Sequence, residues 1–255
     1  MSRQVKNIIN ITAFLICIAL VNIAGQNIEL EIRGVNAFTY ILIAAVLIQV
    51  IFFIPSFLLK TEKYYDLVGS LTYVITISLA YFAVENKTTI DSIIYIYVMI
   101  WASRLGIYLF RRVQKDGKDV RFEKAKTHFF WFLQYWMGQA LWVSLTACAA
   151  IIAILSPEED TLPVLAMLGM ALWLTGFTIE SISDYQKRVF RKENNPSKSF
   201  IHTGLWARSR HPNYFGEITL WTGIAIIALN TLAGIEYVTL ISPVFVYILL
   251  TRMSG

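Results

Sequence analysis

Ser209-Arg210-His211-Pro212-Asn213-Tyr214-Phe215-Gly216-Glu217 places two potential cations, a proline, a tyrosine and a carboxylate where a polar segment meets a long apolar run. Pro212 is expected to open a helix, since proline suits the first turn. The exposed N–H groups of such a turn attract anions. Arg208, Arg210 and His211 would face the same anion, with Asn213 and Tyr214 in the turn itself. That chemistry fits a phosphate-bearing cofactor or a charged lipid. A structural histidine explains His211 equally well. Glu217 lies within the apolar stretch and needs a partner there.

Upstream, Glu180, Asp184, Arg188 and Arg191 recur at helical spacing and line one face. Acidic groups there would accept sugar or amide hydrogens, and arginines would grip phosphate oxygens bidentately. A solvated helix end with internal ion pairs has the same spacing. Lys60-Thr61-Glu62-Lys63-Tyr64-Tyr65-Asp66 forms a second polar cluster. It reads as interfacial anchoring, or as Tyr64 or Tyr65 donating a proton with Glu62, Lys63 or Asp66 tuning it. Trp101, Arg104 and Tyr108 lie one turn apart inside an apolar run, where an arginine must face the protein interior or a cavity. Gln134 and Gln139 are intramembrane polar residues suited to interhelical hydrogen bonds. His128, His202 and His211 are scattered and define no metal site. Glycine-rich nucleotide loops, C-x-x-C, H-E-x-x-H and G-x-S-x-G patterns are absent, which argues against Rossmann and P-loop domains.

The elements carrying these residues are membrane spans. The 255 residues are 56% hydrophobic and 15% charged, against about 25% charged in soluble domains. Eight apolar segments stand out, at roughly 8–24, 36–59, 67–84, 90–110, 128–155, 162–182, 214–230 and 233–251, each near bilayer-spanning length. The last two are joined by a very short link, so the fold expected is an all-α polytopic transmembrane helical bundle of seven or eight spans. It forms one membrane domain over 1–255, with the cofactor half at about 101–255. The first segment reads as a retained span, because no clear cleavage site follows. Residues 111–126 hold seven basic and three acidic side chains, and 184–210 hold seven and two. Acidic loops alternate with these, so the positive-inside rule puts both termini and the basic loops in the cytoplasm. The net charge of +5 reflects topology and not nucleic-acid binding. Cys17 and Cys148 read as small buried residues outside any disulfide framework. Asn86-Lys87-Thr88 fits a glycosylation pattern in an external loop.

Gly204-Leu205-Trp206, Ser209 to Glu217 and Trp221 together resemble the signature of the DUF1295 branch of the steroid 5-alpha-reductase-like membrane proteins. Pro55-Ser56, the Lys60 to Asp66 run, Gly69-Ser70, Arg104, Asp119-Arg121-Phe122 and Asp184 extend the resemblance over most of the chain from about Phe52. It implies an all-helical reductase that binds NADPH from the cytoplasmic side and reduces a carbon–carbon double bond conjugated to a ketone. The substrate would be a lipid or steroid-like molecule, and the membrane a bacterial inner membrane or the endoplasmic reticulum. Glu180, Asp184, Arg191, Asn213 and Glu217 fall where the steroid reductases line the cofactor pocket, and Arg252 matches a further phosphate-binding arginine. Two departures concern chemistry. Phe52 and Phe53 replace a Gln-Glu pair, and Trp101 replaces a catalytic tyrosine. Another donor, such as Tyr64, Tyr65 or Arg104, must act, or the substrate differs. A third departure is that the sequence stops at Gly255, short of a polar tail seen in the family. The Arg-His-Pro-x-Tyr core is shared with isoprenylcysteine methyltransferase-like proteins, so a lipid methyltransferase using S-adenosylmethionine is the alternative. A non-enzymatic lipid-binding protein is the second.

Overall fold

A computed structural model describes residues 1–117, 119–156, 161–193 and 200–253. Lys118, Lys198 and the acidic run Glu158-Glu159-Asp160 lie outside them. The chain folds almost entirely as helix: α1 (Arg3–Asn22), α2 (Ala37–Leu58), α3 (Tyr65–Ala83), α4 (Thr89–Asp116), α5 (Phe129–Leu155), α6 (Val164–Glu193), α7 (Pro212–Ala228) and α8 (Ile241–Ile248). Seven helical stretches among the described residues are long and apolar enough to cross a membrane, the last being Gly234–Arg252. α7 is a shorter apolar helix of 17 residues. The architecture is therefore the all-α polytopic one expected from the apolar segments.

Local chemistry sets the helix ends. The Asn36 side chain accepts from Thr39 N–H at 3.1 Å and caps α2. Thr88 and Asp91 form a reciprocal capping box at the start of α4, which satisfies two otherwise orphaned donors. The threonine of the Asn86-Lys87-Thr88 pattern is thus part of a cap. The segment after α1, expected only as a loop, contains a small antiparallel hairpin, β1 (Glu31–Ile32) with β2 (Val35–Asn36). Arg33 and Gly34 turn it with φ of 53° and 76°, the positive values that a tight hairpin of this hand requires.

The chain divides into two compact units. The first comprises Met1–Thr161 with Thr231–Thr239, and the second Leu162–Asn230 with Leu240–Gly255. In the first, α5 contacts each of α1 to α4. Its run from Ala147 to Leu155 is wholly buried and rich in alanine, and small residues let neighbouring backbones approach. The Thr231–Thr239 segment rests on this helix, with Cys148 Sγ 3.4 Å from the Thr239 carbonyl. Cys17, by contrast, is exposed. It sits on an outward apolar face of α1, and only Cys148 is buried as expected.

In the second unit α6 and α7 run antiparallel with their backbones touching. Gly169 faces Gly223 and Gly176 faces Gly216; a Cβ built on Gly216 would lie 2.7 Å from the Gly176 carbonyl oxygen, and one on Gly223 would lie 2.6 Å from that of Gly169. The glycines are seven residues apart on each helix, so two turns separate the contacts. After α8 the helix widens into a π turn over Leu249–Met253.

Candidate cofactor site

All eleven residues expected to bind a cofactor fall in the second unit. α6 supplies the stripe Glu180, Asp184, Arg188 and Arg191. Burial falls along it: Glu180 and Asp184 are 2% and 5% exposed, whereas Arg188 and Arg191 are exposed. The helix thus passes from the packed interior to an open basic end. The Gly204-Leu205-Trp206 turn is pinned to the same stretch of α6. Leu205 N–H donates to Gln186 Oε1 at 3.0 Å and Trp206 Nε1 donates to the Ser183 carbonyl at 3.1 Å. Lys187 lies over the Trp206 ring, 5.1 Å from its centroid. Gly204 has φ of 62° and no room for a side chain beside Gln186. This docking carries the loop holding Arg208, Ser209 and Arg210, all exposed.

α7 begins at Pro212 as expected, and no described side chain caps its N-terminus. His211 stacks on Tyr214 with ring centroids 4.7 Å apart and planes within 12°. Gly216 brings the start of α7 level with Glu180, since its missing Cβ would lie 2.6 Å from the Glu180 nitrogen. Glu217, the next residue, is 8% exposed. Asn213 Oδ1 is buried, and no described residue donates to it. Arg252 is exposed in the π turn, and its neighbours Leu250 and Thr251 share a cavity of about 280 Å³ with His211, Tyr214, Phe215 and Ile218. The second unit thus holds buried carboxylates, an orphaned amide oxygen and several exposed arginines. It suits a ligand that is anionic at one end and rich in hydroxyl or amide hydrogens at the other.

Tyr64, Tyr65 and Arg104 belong to the first unit. Tyr65 is packed against Phe122 and Trp136, and its hydroxyl donates to the Tyr135 carbonyl at 2.9 Å. Tyr64 is 49% exposed and stacks on Phe110 at 6.0 Å. Arg104 is half-buried. Trp101 is buried edge-on against Tyr73, centroids 5.0 Å apart. Phe53, which the resemblance aligns with an acid of the steroid reductases, is 3% exposed and sits among Phe57, Phe129, Phe132 and Trp136. A charged group there would lose that aromatic packing.

Sequence reading missed the ion lattice that fixes the loop after α4. Lys126 Nζ bonds Glu62 Oε2 at 2.7 Å, and Asp119 N–H donates to Glu62 Oε1 at 3.1 Å. Arg112 reaches Asp66 at 3.3 Å, and Arg121 reaches Asp119 at 2.6 Å and Asp66 at 3.7 Å. The residue types were visible, but pairing across up to 64 positions was not. Lys126→Met should strand the Glu62 carboxylate, which is 4% exposed. The retained Asp119 N–H softens the effect to about 2 kcal/mol, measurable by chemical unfolding in detergent. Burial opposes the charge of Asp119, but hydrogen bonds from Arg121 and its positive charge outweigh this and hold the carboxyl below the usual range. The stability that this group adds is present above the ordinary carboxylate pKa of about 4 and lost as pH falls through its lower folded value. Thermal unfolding midpoints should therefore be insensitive to this pair down to about pH 4 and fall below it. Arg121→Gln should remove part of that acid limb.

The fold and this site define a multi-pass, all-helical membrane protein. The family model described as "Protein of unknown function (DUF1295)" matches residues 52–255, and the chain belongs to that family. It is also similar to the human protein named 3-oxo-5-alpha-steroid 4-dehydrogenase 1, at 38% identity over 60 residues, 24% of this chain and 23% of the relative. The mouse protein of the same name is 37% identical over 60 residues, 24% of each chain, and the rat protein is similar to the same extent. The match thus spans about a quarter of the length of these relatives. No solved structure matches significantly.

Proposed function

We propose that the protein is a membrane reductase that uses NADPH to reduce a carbon–carbon double bond conjugated to a carbonyl in a steroid-like or other lipid substrate. The observation that carries this reading is the presence of buried carboxylates, the orphaned Asn213 oxygen and exposed arginines in one compact unit. The donor set fits the nucleotide. Arg188, Arg191, Arg208, Arg210 and Arg252 would hold its phosphates, aided by the uncapped start of α7. His211 and Tyr214 offer a flat stacked surface beside them. Asn213 Oδ1 would accept a hydrogen from a carboxamide or a ribose hydroxyl, and Glu180, Asp184 and Glu217 would accept others. When bound, NADPH supplies a hydride for the carbon β to the carbonyl. The protein must then deliver a proton to the α carbon and polarise the carbonyl. Tyr64, Tyr65 and Arg104 are the candidates for those tasks. The names of the steroid dehydrogenase relatives support a steroid-like substrate, while Phe53 and Trp101 argue for a carbonyl-binding group different from that of the steroid reductases. The basic loops support a nucleotide site on the cytoplasmic side, by the positive-inside rule.

Titration of the purified protein with NADPH, NADH and S-adenosylmethionine, read by nucleotide fluorescence and thermal shift, tests this. NADPH is expected to bind and stabilise. A response to S-adenosylmethionine alone would move the reading to lipid methyl transfer, although that cofactor has no phosphate to match the arginines.

A further inference from the structure

A cavity of about 420 Å³ lies in the first unit at the Ala83 end of α3. Residues from Val74 to Ala83 line it in pairs one turn apart, and Ile32 of the β1–β2 hairpin joins them. Ser78 is the one polar residue of this lining. Phe82 is 68% exposed, and α3 is long and apolar enough to span a membrane. This face therefore opens on lipid and not on water.

Ser78 differs from the two threonines below it. Thr72 and Thr76 turn back along α3 and donate to the Val68 and Thr72 carbonyls at 2.7 and 2.8 Å, a common arrangement for helical hydroxyls in apolar surroundings. The Ser78 hydroxyl instead points to Met99 Sδ on α4, 4.0 Å away, and a thioether is a weak acceptor. Its proton has room for a better partner, and hydrocarbon holds no water to supply one. Depth selects that partner. α3 has 19 residues, about 28 Å at 1.5 Å per residue, which nearly matches a hydrocarbon core of about 30 Å. Ala83 thus stands at the edge of the core and Ser78 about 7 Å inside it. The acceptors that a bilayer itself places near this edge are acyl ester carbonyls. Head-group phosphates lie further out, and chain methylenes accept nothing. One hydroxyl proton meets one carbonyl oxygen, and the apolar lining towards Val74 suits the chain that follows the ester inwards. An enone substrate also carries a carbonyl, but Ser78 is about 20 Å along α3 from Tyr65, a residue assigned to the reduction.

We propose that this cavity holds one acyl chain of a membrane glycerolipid, with the Ser78 hydroxyl donating to the ester carbonyl. The site does not draw on the nucleotide reading, so failure of NADPH to bind would leave it standing. The test compares dipalmitoyl phosphatidylcholine with dihexadecyl phosphatidylcholine, its ether counterpart, by native mass spectrometry of the full-length protein released from detergent. The two lipids share head group and chain length and differ in the carbonyls. The first lipid retained should favour the ester about three- to tenfold, the worth of one hydrogen bond. Ser78→Ala should lower the ester to the affinity of the ether and leave the ether unchanged. Unchanged ether binding also reports an intact fold, and alanine is the better helix former at this position. Equal binding of ester and ether to the unmutated protein overturns the inference, as does a preference that survives Ser78→Ala. Displacement of the ester by a lower concentration of testosterone, in a way that needs Ser78, would also overturn it and give the cavity to a steroid ketone.

Discussion

Gly216→Ala should be among the most damaging methyl additions in this protein. The new Cβ would sit 2.6 Å from the Glu180 nitrogen and 2.7 Å from the Gly176 carbonyl oxygen. Both are backbone atoms, so no side chain can swing aside and the helices must part. We expect a loss of about 3 kcal/mol in the second unit. NADPH binding should be lost as well, because the same contact sets the level of Glu217 against Glu180. Gly138→Ala is the control. Its nearest obstacle is a Phe14 ring carbon at 3.4 Å, and alanine is the better helix former by about 1 kcal/mol. Thermal unfolding of the two variants should move in opposite directions. Equal tolerance of both would mean that α6 and α7 are not in backbone contact.

The second large effect concerns affinity with no change in stability. Arg191 lies in the last turn of α6 and is exposed. Arg191→Ala should therefore leave the unfolding midpoint of the nucleotide-free protein within about 0.5 kcal/mol of its original value. A charge-assisted bond to phosphate is worth about 1.5–3 kcal/mol, so the Kd for NADPH should rise about 10- to 100-fold. Arg191→Lys should recover only part of this, since lysine keeps the charge and loses the paired donors. Fluorescence titration at two salt concentrations checks it. The contribution of Arg191 should shrink at the higher one, where exposed charges are screened. An unaltered Kd would remove Arg191 from the site.

The apolar segments at 36–59 and 128–155 return as Ala37–Leu58 and Phe129–Leu155, because length and hydropathy carry that information directly. Pro212 marked a helix start for an equally local reason. Facing was harder to read. α5 is enclosed and α1 largely exposed, yet both are simply apolar in sequence. In a membrane the lipid-facing and core-facing sides do not differ in hydrophobicity. The alanines from Ala147 to Ala153 were the available signal for an enclosed helix. The seven-residue glycine spacing was also visible, at Gly169 and Gly176 and again at Gly216 and Gly223, but it does not name its partner. The Glu180 stripe and the Ser209–Glu217 motif stood out because local spacing concentrates them.

The π turn at Leu249–Met253 can be viewed as an insertion that the helix never repaired. A π turn holds one residue more than the α turn it replaces. Deleting a single residue within it would let an ordinary α-helix close, while everything downstream rotates by about 100°. For most helices a one-residue deletion throws a whole buried face out of register. Here the residues re-aimed include Arg252. The C-terminal end of this helix thus has two settings separated by one codon, which would let the reach of that arginine change while the helix is kept.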